Sequence, residues 1–506
     1  MEWKVMEKAI PLTEVLFDNF EECPVDGDFV LPDYLADVAA ILKCTMTPSV
    51  QSRQISGERL LVDGTVTIHV LYLDEGRKCV RSCTYTQPFD CRFSVGSIPA
   101  TAVMQVDAHA NYINCRALGP RKLSMHGAFT VKCRIAAEKP CAVVGDMQED
   151  GWHVRRRRIA YAVPAGCAEK VFTINEMTDI GTGKPAVQSI VRTSAMPLIT
   201  DCKLIQGKAI VKGELALHTL YVADADAGHL QTVEHHLPFS QLIDVEGLTE
   251  YWLCEPTVQT VSCEVHTTAN ANGENRLLDI SVKLALQLMC TRCGEEDAVE
   301  DAYAVQYPLT LECREIVCEK LHAVRQGTST VRQVMEMPGE GEQAVDVWCE
   351  PISCTDRPED GRMMVDGKLN WCMLTRNEGG TLSYYERPLE FTLEFDEGCS
   401  HMITRWQVCR VEYIQTGTQI ELRVELSVSR RCYDEQRSRL VTAVSADENA
   451  TFPADSSALK IYYAGAGESL WDIAKRYHTA VDAVMEENEL SADVLDEDRM
   501  LLIPIC

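Results

Sequence analysis

The chain has 506 residues, is 46% hydrophobic and carries a formal net charge of −28. That length can bury several ordinary cores and sets an expectation of three or four domains. The excess of acid excludes unspecific binding to nucleic acid or anionic lipid, whose phosphates it repels at long range, and leaves basic or neutral proteins as partners.

The first residues, Met1-Glu2-Trp3-Lys4-Val5-Met6, offer no apolar stretch for a signal peptide, and no later run reaches membrane-spanning length. The expectation is a protein made in the cytosol without membrane insertion. Its 23 cysteines are odd in number and scattered singly along apolar runs. In a reducing compartment they are small buried residues, with later oxidative cross-linking left open.

Residues 1 to about 50 lead in through Leu31-Pro32-Asp33-Tyr34, after which Val38, Ile41 and Leu42 fall at helical spacing. Next comes Val62-Asp63-Gly64-Thr65-Val66-Thr67-Ile68-His69-Val70-Leu71-Tyr72, where Val66, Ile68 and Val70 alternate with polar residues. A period of two predicts a strand with one apolar face, in a sheet covered on one side. Its glycine marks a bulge or a close backbone approach. The pattern returns at Val211-Lys212-Gly213 to Tyr221, and more loosely at Val365-Asp366-Gly367 to Leu374. Pro88-Phe89, Pro238-Phe239 and Pro388-Leu389 follow the three glycines, and a second alternating run closes each copy, at Leu123 to Cys133, Leu277 to Met289 and Ile420 to Val428. The glycines lie one domain length apart, which argues for three tandem homologous domains. Pro185 to Val191 and Val331 to Met335 repeat the helical spacing upstream of the other two glycines. Each domain is therefore expected to begin with a short helix and continue as a β-sandwich-like unit. Pro338 to Glu342 and Asp356 to Gly361 read as turn-rich loops, and Ser445 to Ser457 as a linker.

After the linker the periodicity changes. Ile461-Tyr462-Tyr463 reads as a strand and Gly465-Ala466-Gly467-Glu468 as a turn; Ser469 with Asp472 forms a capping box, and Leu470, Ile473, Ala474 and Tyr477 make a helix face. Thr479 with Asp482 repeats the cap before Val481, Val484 and Met485, and Met500 to Pro504 ends as a strand. The order βααβ in so few residues is small for an independent core. The fold class is thus mainly β, three tandem β-sandwich-like domains with short helices plus a small α+β module, divided as 1–160, 161–315, 316–444, a linker at 445–458, and 459–506.

The last segment resembles the LysM domain, through Tyr462, Gly467-Glu468-Ser469-Leu470-Trp471-Asp472-Ile473-Ala474-Lys475-Arg476-Tyr477, Asn488, Leu490 and Leu501-Leu502-Ile503-Pro504. The resemblance implies binding of N-acetylglucosamine polymers such as peptidoglycan between loops at Gly465 to Leu470 and Leu490 to Met500. Glu497-Asp498-Arg499 replaces the family's Pro-Gly-Gln, and acids at Glu486, Glu487, Glu489, Asp493 and Asp496 crowd the loops, which places protein recognition beside glycan binding. The expected contacts are Gly467, Glu468, Ser469, Leu470, Asn488, Leu490 and Asp493, while Trp471 and Ile473 belong to the core. The three copies resemble SPOCS domains, with Thr375 where the first two have Tyr72 and Tyr221, and the whole chain resembles the SipL-like family. That implies a non-enzymatic protein of the mother-cell cytoplasm, recruited to the forespore surface, which assembles or tethers the spore coat by contact with the coat morphogenetic ATPase or other coat proteins. A peptidoglycan-binding wall protein is the alternative.

No catalytic residue, metal or cofactor is assigned. Asp179-Ile180-Gly181-Thr182-Gly183-Lys184-Pro185 fails as a phosphate loop because Thr178 replaces the leading glycine and Pro185 the magnesium-binding hydroxyl. Cys290, Cys293, Cys313 and Cys318 approximate zinc-ligand pairs, but no other copy repeats them. His69 and His218 occupy one position in two copies, where the third has Cys372, and His235-His236 lacks a partner at ligand spacing. Arg155-Arg156-Arg157-Arg158, the one strong basic run, is a solvated strand or a docking patch for an acidic surface such as another copy's LysM domain.

Overall fold

A computed structural model describes residues 4–224, 228–339, 341–447, 450–453 and 459–504. Unit one comprises β1 (Lys4–Val30), β2 (Val38–Ser56), β3 (Arg59–Asp74), β4 (Val80–Ser94), β5 (Val103–Gly119) and β6 (Lys122–Gln148). Unit two repeats them as β7 (Trp152–Asp179), β8 (Ser189–Ile205), β9 (Lys208–Asp224), β10 (His229–Asp244), β11 (Leu253–Ala269) and β12 (Asn275–Ala304). Unit three is β13 (Leu309–Glu336), β14 (Gln343–Glu359), β15 (Arg362–Arg376), β16 (Leu382–Phe395), β17 (His401–Thr416) and β18 (Gln419–Ala446).

Each unit is a sandwich of two antiparallel three-stranded sheets, ordered β1-β6-β5 over β2-β3-β4 in unit one and likewise in the others. The strand that carries the repeated glycine, five residues in from its start, is the middle strand of its sheet, and its apolar face, Val66, Ile68 and Val70 in unit one, is buried against the opposing sheet. The glycine is a close approach. A Cβ at Gly64, Gly213 or Gly367 would lie 2.4, 2.3 or 2.2 Å from the ring of Phe89, Phe239 or Phe391, the cross-strand neighbour in each unit. In unit three that ring belongs to Phe391, two residues beyond the Leu389 that sequence spacing singled out.

Among the described residues no short helix precedes these strands. Val38, Ile41 and Leu42 lie in β2, whose register slips between Val38 and Ala40 and again between Ile41 and Lys43. Bulges move consecutive apolar residues off the two-residue alternation, and the resulting spacing imitates a helix. Ile190 and Val191 sit at a similar slip in β8, and Val331 to Met335 lie inside β13. The domain limits shift as well. The 160/161 boundary falls inside β7 and the 315/316 boundary inside β13, so units two and three begin at Trp152 and Leu309.

The long first and last strands explain how the units join. In unit one β6 pairs with both β1 and β5 as far as Ala136, and beyond it continues with β1 alone as a two-stranded ribbon. The three ribbons meet in one core, where Ile10 and Cys141 pack with Ile159, Ala298, Ile316, Cys318 and Leu440. At the other end Leu71, Leu220 and Leu374, each seven residues past its glycine, form a second shared core with Val80, Leu230 and Leu382. Contacts of β4 with β8, β10 with β14, and β16 with β2 run cyclically, so the three units close on one another about a central axis. The far end of each glycine strand is therefore covered on both faces, not on one.

The same cyclic packing places polar residues on equivalent positions. Lys43, Arg192 and Asp346 occupy one register, opposite Leu71, Leu220 and Leu374. Asp346 is fully buried, accepts from Arg192 at 3.2 Å and contacts His218 Nε2 at 2.8 Å; Lys43 bridges to Glu386 at 2.5 Å and Glu350 at 3.2 Å. Three identical subunits would set three like charges at this register, whereas diverged copies in one chain set two cations and one acid there.

Candidate functional site

The last module follows as β19 (Leu459–Ala464), α1 (Leu470–Tyr477), α2 (Val481–Glu487) and β20 (Arg499–Pro504). Ser469 caps α1 by accepting the Trp471 amide at 3.2 Å, and Leu470, Ile473 and Ala474 are buried beneath it. The second cap differs from expectation: Ala480, not Thr479, is the N-cap of α2 and makes no side-chain bond. Within 445–458, Ser445 and Ala446 end β18, while Glu448, Asn449 and residues 454–458, including Asp455 and Ser456, lie outside the described residues, as does Glu340. Phe452 stacks on His478 with ring centroids 3.6 Å apart, which ties the linker to the module.

The two loops expected to carry binding run side by side. Gly467 N–H donates to Leu495 O at 2.7 Å, Leu495 N–H to Glu468 O at 3.1 Å, and Leu470 N–H to Asp493 O at 2.7 Å. Gly467 has φ +86°, a conformation that requires glycine. Ala466, Gly467, Ser491 to Val494 and Asp496 to Met500 are exposed along this edge. The departure from the family's Pro-Gly-Gln has a structural role: the Asp498 carboxylate accepts the Ala466 amide at 2.8 Å, and Arg499 donates to the Asn488 carbonyl at 3.1 Å.

The expected contact residues separate into two groups. Gly467, Ser469 and Asp493 lie at the loop surface. Glu468 is engaged from within, accepting from the Tyr462 hydroxyl at 3.0 Å and the Gly465 amide at 3.2 Å. Leu470 is fully buried and Leu490 packs against the same core. The buried Asn488 side chain donates to Val484 O and Leu502 O and accepts from Leu502 N–H, pinning α2 to β20. These last three hold the fold and offer no side chain to a ligand.

Sequence reasoning missed the seat of the module. Trp471 is buried, and its indole N–H donates to Asp301 of β12 at 2.8 Å, while Lys475 one turn on reaches the same carboxylate at 2.6 Å. Tyr303 packs edge-on against Trp471 at 5.0 Å and donates to Thr479 O at 2.7 Å. Burial pushes the Asp301 carboxyl up, but the Lys475 and Trp471 hydrogen bonds outweigh it and hold the pKa below the ordinary value. The available signal was the spacing of Trp471 and Lys475, four apart on one helix face.

The arginine run is engaged by its own chain. Arg155 lies over the Trp471 ring at 5.5 Å and pairs with Glu300; Arg157 also pairs with Glu300 at 2.9 Å, Arg156 with Asp146 of unit one, and Arg158 with Asp297 and Glu295. It helps seat its own C-terminal module and presents no unpaired cationic patch. Cys290, Cys293, Cys313 and Cys318 fall into four separate clusters and do not converge. The loop Asp179 to Pro185 is a turn held by Arg276, which donates to Gly181 O at 2.7 Å and Lys184 O at 2.6 Å. His69 meets the Thr84 hydroxyl at 3.0 Å, and His235 and His236 contact Asp179 O and Glu214. Beside the Arg192, His218 and Asp346 cluster, a cavity of about 330 Å³ lies between units two and three, walled by Met196, Pro197, Trp348 and Pro351.

Family comparison matches the SipL, SPOCS domain to residues 37–118 and 186–267, and the LysM domain to residues 462–504. Two of the units contain SipL SPOCS domains, and the tail is a LysM domain. The SPOCS matches take in β2 to β5 and β8 to β11 and leave out the long first and last strands that build the shared ribbon core. Unit three lies outside the match but repeats the strand order and the glycine under a phenylalanine ring. Nothing matches among curated proteins or among solved structures. SPOCS and LysM are non-catalytic domain families, the first associated with sporulation and the second with peptidoglycan binding. Among the described residues no helix is long and apolar enough to cross a membrane.

Proposed function

We propose that this chain is a non-enzymatic assembly protein of the spore coat, made in the mother cell and recruited to the forespore surface, where its LysM domain docks on a coat morphogenetic protein. One observation carries this reading: Trp471 and Lys475 are committed to Asp301, so the helix face of the LysM domain is fixed on unit two while the paired loops stay exposed. The exposed loop edge carries Asp493, Asp496 and Glu497, which suits a basic protein surface. The SPOCS units act as the scaffold that orients this edge. Localisation of a tagged protein in sporulating cells, with and without residues 459–506, tests the reading. Loss of forespore recruitment on truncation supports it; recruitment by residues 1–458 alone contradicts it.

The LysM match itself favours a second reading, a wall protein that holds peptidoglycan between the same loops. Co-sedimentation of the pure chain with purified peptidoglycan separates the two. Retention by glycan alone favours the wall protein.

A further inference from the structure

Unit one has two seams, where an edge strand of one sheet meets an edge strand of the other: β2 runs against β5, and β1 meets β4 through Phe17 on Phe93 and Cys23 on Cys91. Each seam holds a pair of free thiols. Cys23 of β1 and Cys91 of β4 have their sulfurs 3.0 Å apart, and Cys44 of β2 and Cys115 of β5 pack against the same core where their two strands run together. We propose that these pairs are modification sites, which a small-molecule disulfide converts to Cys23–Cys91 and Cys44–Cys115 cross-links that staple both seams of the sandwich.

The pairs are positioned for this chemistry. Each joins strands of different sheets, so each cross-link resists separation of the sheets. The first spans 68 residues of chain, a long loop whose closure removes much freedom from the unfolded state. Access is built in as well: Cys23 is only half-buried and lines a surface cleft of about 240 Å³ that reaches the seam, and Cys44 and Cys115 are also half-buried. The neighbouring Cys44 holds the Cys115 pKa below its ordinary value, whereas burial pushes those of Cys23 and Cys91 up, so the second pair reacts the more readily at neutral pH.

The exchange balances without a further reactant. A cysteine thiolate attacks one sulfur of the small disulfide, whose S–S bond breaks and whose second half leaves as a thiolate. The partner cysteine then loses its proton and attacks the mixed disulfide, expelling the other half. Two protein thiols are oxidised and one disulfide is reduced to two thiols. Glu21, Glu22 and Asp90 line the cleft at Cys23, so a cationic disulfide enters more readily than an anionic one.

The test incubates the reduced full chain with cystamine at neutral pH, blocks remaining thiols, and maps peptides without reduction. The expected result is two linked peptide pairs, Cys23 with Cys91 and Cys44 with Cys115, with protease cleavage of unit one slowed roughly tenfold or more and restored by dithiothreitol. Cystamine adducts on these cysteines without cross-links, links scattered over other cysteines, or unchanged thiols overturn the proposal. The variant carrying Cys23→Ser and Cys115→Ser, both at half-buried positions, should form neither link and gain no protease resistance; resistance gained without the links also overturns it.

Discussion

Gly213 lies under the ring of Phe239 and against the carbonyl of Leu198, each within 2.4 Å of where a Cβ would stand. Gly213→Ala should therefore destabilise unit two by about 1 to 3 kcal/mol through overpacking, read as a lower urea midpoint with an unchanged slope. The need for glycine was legible as a thrice-repeated residue type, but the aromatic ring that imposes it was not, because in unit three Phe391 stands two positions past the expected site. Asp346 supplies the second residue-scale argument. Burial pushes its carboxyl up, and the His218 hydrogen bond with the Arg192 charge overrides this and holds it low; burial pulls His218 down, and Asp346 holds it above its ordinary value. The raised histidine contributes stability in full below its unfolded pKa, about 6.5, and loses it as pH rises through the higher folded value. The depressed aspartate contributes above its unfolded pKa, about 3.9, and loses it as pH falls through the lower folded value. The seam between units two and three should be firmest between these limits. His218→Gln should flatten the decline in urea midpoint on the alkaline side, and a decline that persists unchanged would assign it to other groups. Asp346→Ala, which strands Arg192 and His218, should cost about 3 to 5 kcal/mol.

Among the elements, the strands were readable wherever one face alone is buried, as in the opening stretches of β3, β9 and β18, because alternation survives there. It failed in β2 and β8, where bulges put Val38, Ile41 and Leu42 or Ile190 and Val191 at helical intervals. It also failed to separate units, since the ribbon halves of β7 and β13 pack on neighbouring units and show no break at their true starts. Helix α1 was legible from Ser469 onward, yet its role was read as internal alone. Trp471 serves the module's core and its attachment at once, and nothing in residues 459 to 506 names Asp301 as the partner. Asp301→Ala removes the acceptor shared by Trp471 and Lys475, and the attachment should weaken by about 2 kcal/mol. Limited proteolysis should then cut between residues 447 and 459 faster than in the parent chain, with units one to three intact; an unchanged cutting rate would mean that Phe452 and Tyr303 suffice to hold the module.

For the whole molecule, cyclic closure makes the three SPOCS-like units mutually dependent. Leu71, Leu220 and Leu374 share one core and Ile10, Ile159 and Ile316 another, so a chain lacking residues 309–446 would expose both. Such a chain should aggregate or unfold at markedly lower urea than the full protein, whereas independent beads on a string would be unaffected by the loss. The closed scaffold fixes the LysM domain through unit two and gives its loop edge one orientation. The most direct measurement is the localisation of a tagged full-length protein carrying Asp493→Lys and Asp496→Lys, both exposed and outside the seat, in sporulating cells. Loss of forespore recruitment, with the variant folded and present at parental level, is the predicted result; recruitment indistinguishable from the parent would contradict docking through that edge.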